Sequence, residues 1–506
     1  MSGRISTISY ENRGRVLLLF LLFSLAIYGF ITAGFQTFTI ICLLPLLVLF
    51  VYVAFKWKMF TFWTLIIVNY FLQFYLFPMP PVPMSLLNEL LQIILLAIAI
   101  VDTRQNPHFE RAATPMLFAL VIWCGFCTLE VLNDTCNIGI DLGAWYSGAR
   151  LMAFQLLYIY LVFVIYISSP EILIKYLKVW ACLSLFSALW TWKQQNIGLS
   201  TEENAFLYGP GQTTHLLQAG TLIRYWSTFS DAANYGCNAA AAAVAFLVFG
   251  ITSRIKTDRW FFLIIGVFVI KSMFASGTRT AIFCLFAGIA VFIVLSKSFK
   301  IAIPSAIAAV FFFVLLAFTN IGQGNQQIRR MRSAFDKKDA STNVRSINQA
   351  TMRKYMKDAP WGIGIGNGYD NVPANNKYRK IATIPPDSEY VYIWLRTGKY
   401  GISTFLISTA IMFIGACWIV FFRLKSPTLI GIGAGLCGAF TAIQLGAYGN
   451  QVLTQFPNGL IFYGGLAIVY TLPHIESAWI EYEQRKLAIE AEKKRIKLEK
   501  KLASRV

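Results

Sequence analysis

Charge is scarce in this chain: only 13% of its 506 residues are Asp, Glu, Lys or Arg. Hydrophobic residues make up 57%, and the mean hydropathy is +0.59. A soluble domain of this size is excluded by that balance. Ten-residue segments of alternating polarity are also missing, which excludes a transmembrane β-barrel. The first apolar stretch, 16–34, has no small-residue cleavage site and more apolar runs follow it, so it reads as an uncleaved helix and not a signal peptide. No repeat recurs at a fixed period and no inverted duplication is visible, which disfavours many transporter folds. Most of the nine cysteines sit in apolar runs. The Cys124–Cys127 pair has no histidine or second pair beside it, so packing is its expected role.

What remains is a series of apolar runs of roughly 16–20 residues, long enough to cross a bilayer. About fourteen such runs are counted, which predicts an all-α polytopic membrane helix bundle. The expected organisation is an N-terminal set of spans over 1–319, with an outer loop at 193–235. A large, partly helical outer loop at 320–389 covers the active site. C-terminal spans occupy 390–473, with 390–422 read as an interfacial start followed by a span, and a basic tail closes the chain at 474–506. The net charge of +20 does not require nucleic acid. Lys56/Lys58, Arg104/Arg111, Lys175/Lys178, Arg254/Lys256/Arg259, Lys297/Lys300 and Arg423/Lys425 fall in every second connection, whereas "FPMPPVPMS" and "YGNQVLTQF" carry no cation. That is the positive-inside pattern, with both termini cytoplasmic. The tail, rich in helix formers and cations, is expected to lie solvated near anionic lipid.

Polar residues gather in three places on the expected outer side. In "LIRYWSTFSDAANYG", Arg224 precedes an aromatic pair, and Asp231 and Asn234 precede an Ala-rich helix. Ser230 or Asp231 as a helix N-cap explains the acid but not the arginine. In "MFASGTRTAIF", Arg279 follows a Ser276–Gly277 turn; a snorkelling role competes with a functional one, and Lys271 is expected to face the same cavity. The third place is the long loop. Residues 346–357 read as an amphipathic helix ended by Pro360. "GIGIGNG" follows a helix and opens none, so it reads as a close-approach turn and not a dinucleotide loop. Then comes "PPDSEYVYIW", with Asp387, Ser388 and Glu389 before an apolar run. These acids serve equally as a helix start and as chemistry.

Arginines near a carboxylate at a membrane surface suit one reaction class. Guanidinium forks match phosphate oxygens, and a carboxylate can take a proton from an attacking hydroxyl. Together they describe glycosyl transfer from a polyprenyl pyrophosphate sugar, with cations on the leaving group. No DxD or His/Asp metal set is visible in these segments, so neither metal nor cofactor is expected. Of His108, His215 and His474, only His215 falls on the outer side, as a fallback base.

The ordered pattern R…F-S-D-x-x-N, S-G-T-R, D-x-P-W-G-I-G-x-G, then a polar dipeptide nine residues before G-x-x-G, resembles the O-antigen ligase/O-antigen polymerase superfamily over residues 220–402. The resemblance implies a bacterial inner-membrane helix bundle that transfers glycans from undecaprenyl pyrophosphate to a glycan acceptor. It implies pyrophosphate-binding roles for Arg224 and Arg279, and a supporting role for Arg345. Ligases carry a histidine where this chain has Asp387. Asp387–Ser388 therefore looks more like the polymerase side of the superfamily, which includes exopolysaccharide and capsule polymerases, with Asp387 activating or positioning the acceptor hydroxyl. Asp231, Asn234, Ser388, Glu389, Tyr390 and Trp394 would contact substrate, the two aromatics by stacking on sugar rings or by anchoring at the interface. Expected partners are the lipid-linked oligosaccharide, membrane lipids, and a flippase and chain-length regulator of the same pathway. Rival readings are a ligase to a lipid or protein acceptor, a lipid-linked oligosaccharide flippase and a silent scaffold. A flippase needs its polar groups along a mid-membrane cavity, whereas here they collect on one side.

Overall fold

A computed structural model describes residues 10–74, 84–102, 109–217, 222–319, 324, 326–332, 340–368 and 370–503. Arg104, His108 and most of the "FPMPPVPMS" connection lie outside the described residues. The chain divides into two units, residues 1–64 and 65–506. The first unit holds α1 (Tyr10–Lys56), one continuous helix across the two expected spans at 16–34 and 38–55, and the start of α2 (Lys58–Phe71).

The second unit is almost wholly helical among its described residues. In order come α3 (Met84–Val101), α4 (Pro115–Leu129), α5 (Leu142–Ala149), α6 (Gln155–Tyr166), α7 (Pro170–Asn196), α8 (Thr201–Leu207) and α9 (Gln212–His215). A two-residue hairpin pairs β1 (Leu216–Leu217) with β2 (Leu222–Ile223), antiparallel. Then follow α10 (Ala232–Thr252), α11 (Lys256–Ala275), α12 (Arg279–Leu295), α13 (Phe299–Phe318), α14 (Gln326–Arg332), α15 (Ala340–Met356), α16 (Arg379–Ala382), α17 (Glu389–Trp418), α18 (Pro427–Gly449) and α19 (Gly464–Ala503). The protein is an all-α polytopic membrane protein. Seven helices among the described residues are long and apolar enough to span, or eight if a bent pair counts as one, and three shorter apolar helices accompany them.

Packing centres on α10, which touches α11, α12 and α18. Its run of five alanines and the glycines of α18 are buried, and small side chains let helix backbones approach where lipid offers no hydrophobic drive. A second core lies in the long loop: Met352 and Met356 of α15 pack with Ala359, Ile363, Val372, Ile381 and Leu395. The expected amphipathic helix is thus present, and its apolar face builds this core.

Gly398 divides α17. Its φ of +65° breaks the helix, and a Cβ there would collide with the Pro360 carbonyl oxygen. Only glycine takes this backbone at such close range. Ile363 and Gly364 donate their backbone N–H groups to Leu395 and Arg396 carbonyls, both at 3.0 Å, so the glycine string lies against the break as a close-approach turn.

The tail differs from a helix solvated on all sides. Helix α19 continues from the membrane segment, and its acids receive the starts of other helices. Glu476 accepts from the N–H groups of Lys425 and Ser426 at 2.7 and 2.6 Å. Glu490 accepts from those of Lys256 and Thr257, both at 3.2 Å. Orphan N–H groups at a helix start favour anions, which is why the few tail acids matter despite its cationic surplus.

Candidate functional site

The turn between α11 and α12 organises the arginines. Gly277 has φ +57°, and a Cβ there would meet Arg330 Cδ at 3.2 Å and Arg224 Cγ at 3.6 Å. Both arginines therefore pass directly over the turn. Arg224, just after β2, donates from Nε to the Ser276 carbonyl at 3.3 Å, from Nη1 to the Thr214 carbonyl at 3.0 Å and from Nη2 to Thr278 Oγ1 at 3.1 Å. A guanidinium has five N–H donors, so these bonds use three of them. Arg330 of α14 donates from Nε to the Gly277 carbonyl at 2.9 Å. Burial, then the charges of Arg224 and Arg279, push its pKa down to about 10.

Arg279 opens α12, half-buried, close enough for its charge to act on Arg224, Arg330 and Arg345. Arg345 of α15 reaches the other way, with Nε 3.9 Å from Asp387 Oδ2. The side chains of this pair are 39% and 37% exposed, so the carboxylate is reachable from solvent. Four arginines and one carboxylate, from five separate segments, thus converge. Like charges this close repel, and an anion between them relieves the repulsion.

Asp231 is the N-cap of α10, as one reading of the sequence anticipated: Oδ1 accepts from the N–H groups of Ala233 and Asn234 at 2.8 and 2.9 Å. Its charge also acts on Arg224. Asn234 is fully buried. Its Nδ2 donates to Ser230 Oγ, Gln455 Oε1 and the Phe456 carbonyl, and its Oδ1 accepts from Asn458 at 2.6 Å. Asn234 therefore pins α10 to the 450–458 connection.

His215 is buried against Phe206 and Trp226. Nε2 accepts the Ala232 N–H at 3.2 Å, and Nδ1 lies 3.0 Å from the Gly211 carbonyl, which fixes the proton on Nδ1. Burial lowers its pKa to about 4. Both ring nitrogens are engaged within the fold.

The stretch after Asp387 turns inward. Ser388 occupies the N-cap position of α17, but its hydroxyl donates to the Ala447 carbonyl at 3.1 Å instead of capping. Glu389 is fully buried; Oε2 accepts from Leu453 N–H at 3.1 Å and Oε1 from the Thr454 hydroxyl at 3.0 Å. Tyr390 donates its hydroxyl to Gln444. Trp394 packs on the loop core. Lys271 lines a separate cleft of ≈280 Å³ with Thr191 and Trp192. Among the described residues, no group of three or more His, Cys, Asp or Glu is placed to hold a metal ion.

Arg330, Gln455 and Asn458 were not singled out from sequence. Arg330 lies in "QQIRRMR", where charge density is the only signal and does not say which cation points inward.

Compared with known proteins, residues 269–406 match the family described as O-Antigen ligase. The matched stretch carries Arg279, Arg330, Arg345, Asp387 and Gly398, while Arg224 precedes it. A search of curated proteins finds no match.

Proposed function

We propose, for a chain whose residues 269–406 match the family described as O-Antigen ligase, that it transfers a glycan from undecaprenyl pyrophosphate to a sugar hydroxyl of a lipid-linked repeat unit. It would act at the outer face of the bacterial inner membrane, without a resident metal, as an O-antigen, exopolysaccharide or capsule polymerase. The observation that carries this reading is the convergence of Arg224, Arg279, Arg330 and Arg345 beside the exposed carboxylate of Asp387.

The acceptor hydroxyl gives its proton to Asp387 as its oxygen bonds the anomeric carbon. The bond from that carbon to the pyrophosphate oxygen breaks, and its electron pair leaves on undecaprenyl pyrophosphate. Charge growing on the leaving group is met by fixed guanidinium donors, which need no reorganisation during the step. Arg224 and Arg279 bind the pyrophosphate, with Arg330 beside them. The long 3.9 Å contact from Arg345 orients Asp387 while leaving it open to a hydroxyl. Ser388 and Glu389 fix the start of α17 and so the position of Asp387 just before it.

A second reading, ligation to a lipid or protein acceptor, is favoured by the description of the matching family. Purified protein given undecaprenyl pyrophosphate repeat units alone separates the two. A ladder of products indicates polymerisation. Transfer that begins only when a lipid or protein acceptor is added indicates ligation, and an inert protein in both arms rejects the transfer reading.

A further inference from the structure

A polar cavity of ≈480 Å³ is walled by α5, Ile365, Gly366 and Asn371, α17 and the 451–455 connection. That volume falls within the roughly 300–1,000 Å³ of small-molecule sites. Its lining includes Arg396, Tyr392, Gln451, Thr454, Gln455 and Asn371. Among its described lining residues there is no carboxylate.

Arg396 is the unusual member. Its Nε and Nη1 are buried and meet no hydrogen-bond acceptor. The guanidinium lies 5.3 Å over the Tyr392 ring, one helical turn earlier on the same face. Two buried guanidinium donors without an acceptor cost free energy that a bound anion recovers, although Tyr392 also engages the group. The amides and hydroxyl around it suit sugar hydroxyls, which both donate and accept.

The cavity also joins the transfer site at two points. Gln455 lines it and at the same time accepts from Asn234, next to the Asp231 cap. Thr454 lines it and binds Glu389, two residues after Asp387. Arg396 stands about 10 Å along α17 from Glu389, at 1.5 Å per residue.

We propose that this cavity is a subsite for an acidic sugar of the acceptor glycan, whose carboxylate is read by Arg396. It rests on the transfer reading given above for its role in turnover, but binding in the cavity is measurable without transfer. A neutral saccharide would supply no charge to offset the guanidinium at Nε and Nη1, so the site discriminates by charge as well as shape.

The test uses the full chain in detergent, with a glucuronic acid–glucose disaccharide, cellobiose, and the same disaccharide bearing a phosphate in place of the carboxylate. Affinities are measured by calorimetry or saturation-transfer NMR. The wild type should bind the uronate at least about tenfold more tightly than cellobiose, a step of about 1.4 kcal/mol. Arg396→Gln should abolish that preference and Arg396→Lys should retain part of it. Ser147→Trp, which fills the cavity from the exposed side of α5, should block both sugars and leave Arg396 untouched. Equal affinity for uronate and cellobiose in the wild type overturns the proposal, as does a preference that survives Arg396→Gln or Ser147→Trp. Tighter binding of the phosphate sugar overturns the assignment to a carboxylate. Transfer from lipid pyrophosphate, followed in parallel, separates the two ideas. Transfer without uronate preference removes only the subsite, whereas uronate binding without transfer removes only the enzyme reading.

Discussion

Replacing Arg224 by lysine keeps the charge and removes the geometry. Three guanidinium nitrogens of Arg224 reach three different acceptors, the carbonyls of Thr214 and Ser276 and the hydroxyl of Thr278. A lysine has one nitrogen on a flexible stem and matches only one of these positions well. Two bonds from a charged donor are then lost, each worth about 1.5–3 kcal/mol. The side chain is half-buried, so water repairs part of the loss, and a net cost of about 2 kcal/mol follows. If that energy holds the guanidinium against the leaving pyrophosphate, the rate falls by about 30-fold. The assay is single-turnover transfer from a lipid pyrophosphate repeat unit, with the melting temperature recorded for each variant. Arg224→Ala should be slower still. A lysine variant at wild-type rate, beside an inactive alanine variant, would refute the argument: charge alone would suffice, and the three bonds would be irrelevant to chemistry.

Gly277→Ala should cost about 1–2 kcal/mol for its left-handed backbone, and its methyl would press on Arg330 and Arg224; transfer should fall further than the shift in melting predicts. Gly398→Ala places a methyl against the Pro360 carbonyl and should destabilise by at least about 2 kcal/mol, read as faster proteolysis of the 340–384 loop. For His215 the sign follows from its buried state. The unfolded imidazole takes a proton below about pH 6.5, whereas the buried one resists until about pH 4. Stability should therefore fall as pH drops through that window, by up to about 3 kcal/mol. His215→Gln should lower stability at pH 7 and remove this part of the acid sensitivity, seen by melting at pH 7 and 4.5.

Much of the frame was legible because periodicity and hydropathy report local physics. Apolar runs gave the polytopic class, and Asp231 before an alanine run is the N-cap its position suggested. The glycine string lacked the strand and helix of a nucleotide loop, and the structure shows it pressed against Gly398. The number of spans was less legible. A continuous helix such as α1 crosses two hydropathy peaks, and α12 is apolar but short. Side-chain direction was the least legible feature. Nothing in "SEYVYIW" says that Glu389 turns toward Leu453 while Asp387 stays exposed, because the 450–458 connection that decides it lies some sixty residues later. Arg330 and Arg396 were hidden for the same reason: a cation in a loop or at a helix end reads as solvated until its neighbours are known.

The most direct test of the account is the product ladder formed from undecaprenyl pyrophosphate repeat units by purified wild type, Arg279→Ala and Asp387→Ala, each checked for an unchanged melting temperature. The account predicts a ladder from the wild type and none from either variant. A normal ladder from both would contradict it and remove the arginine cluster and Asp387 from the chemistry.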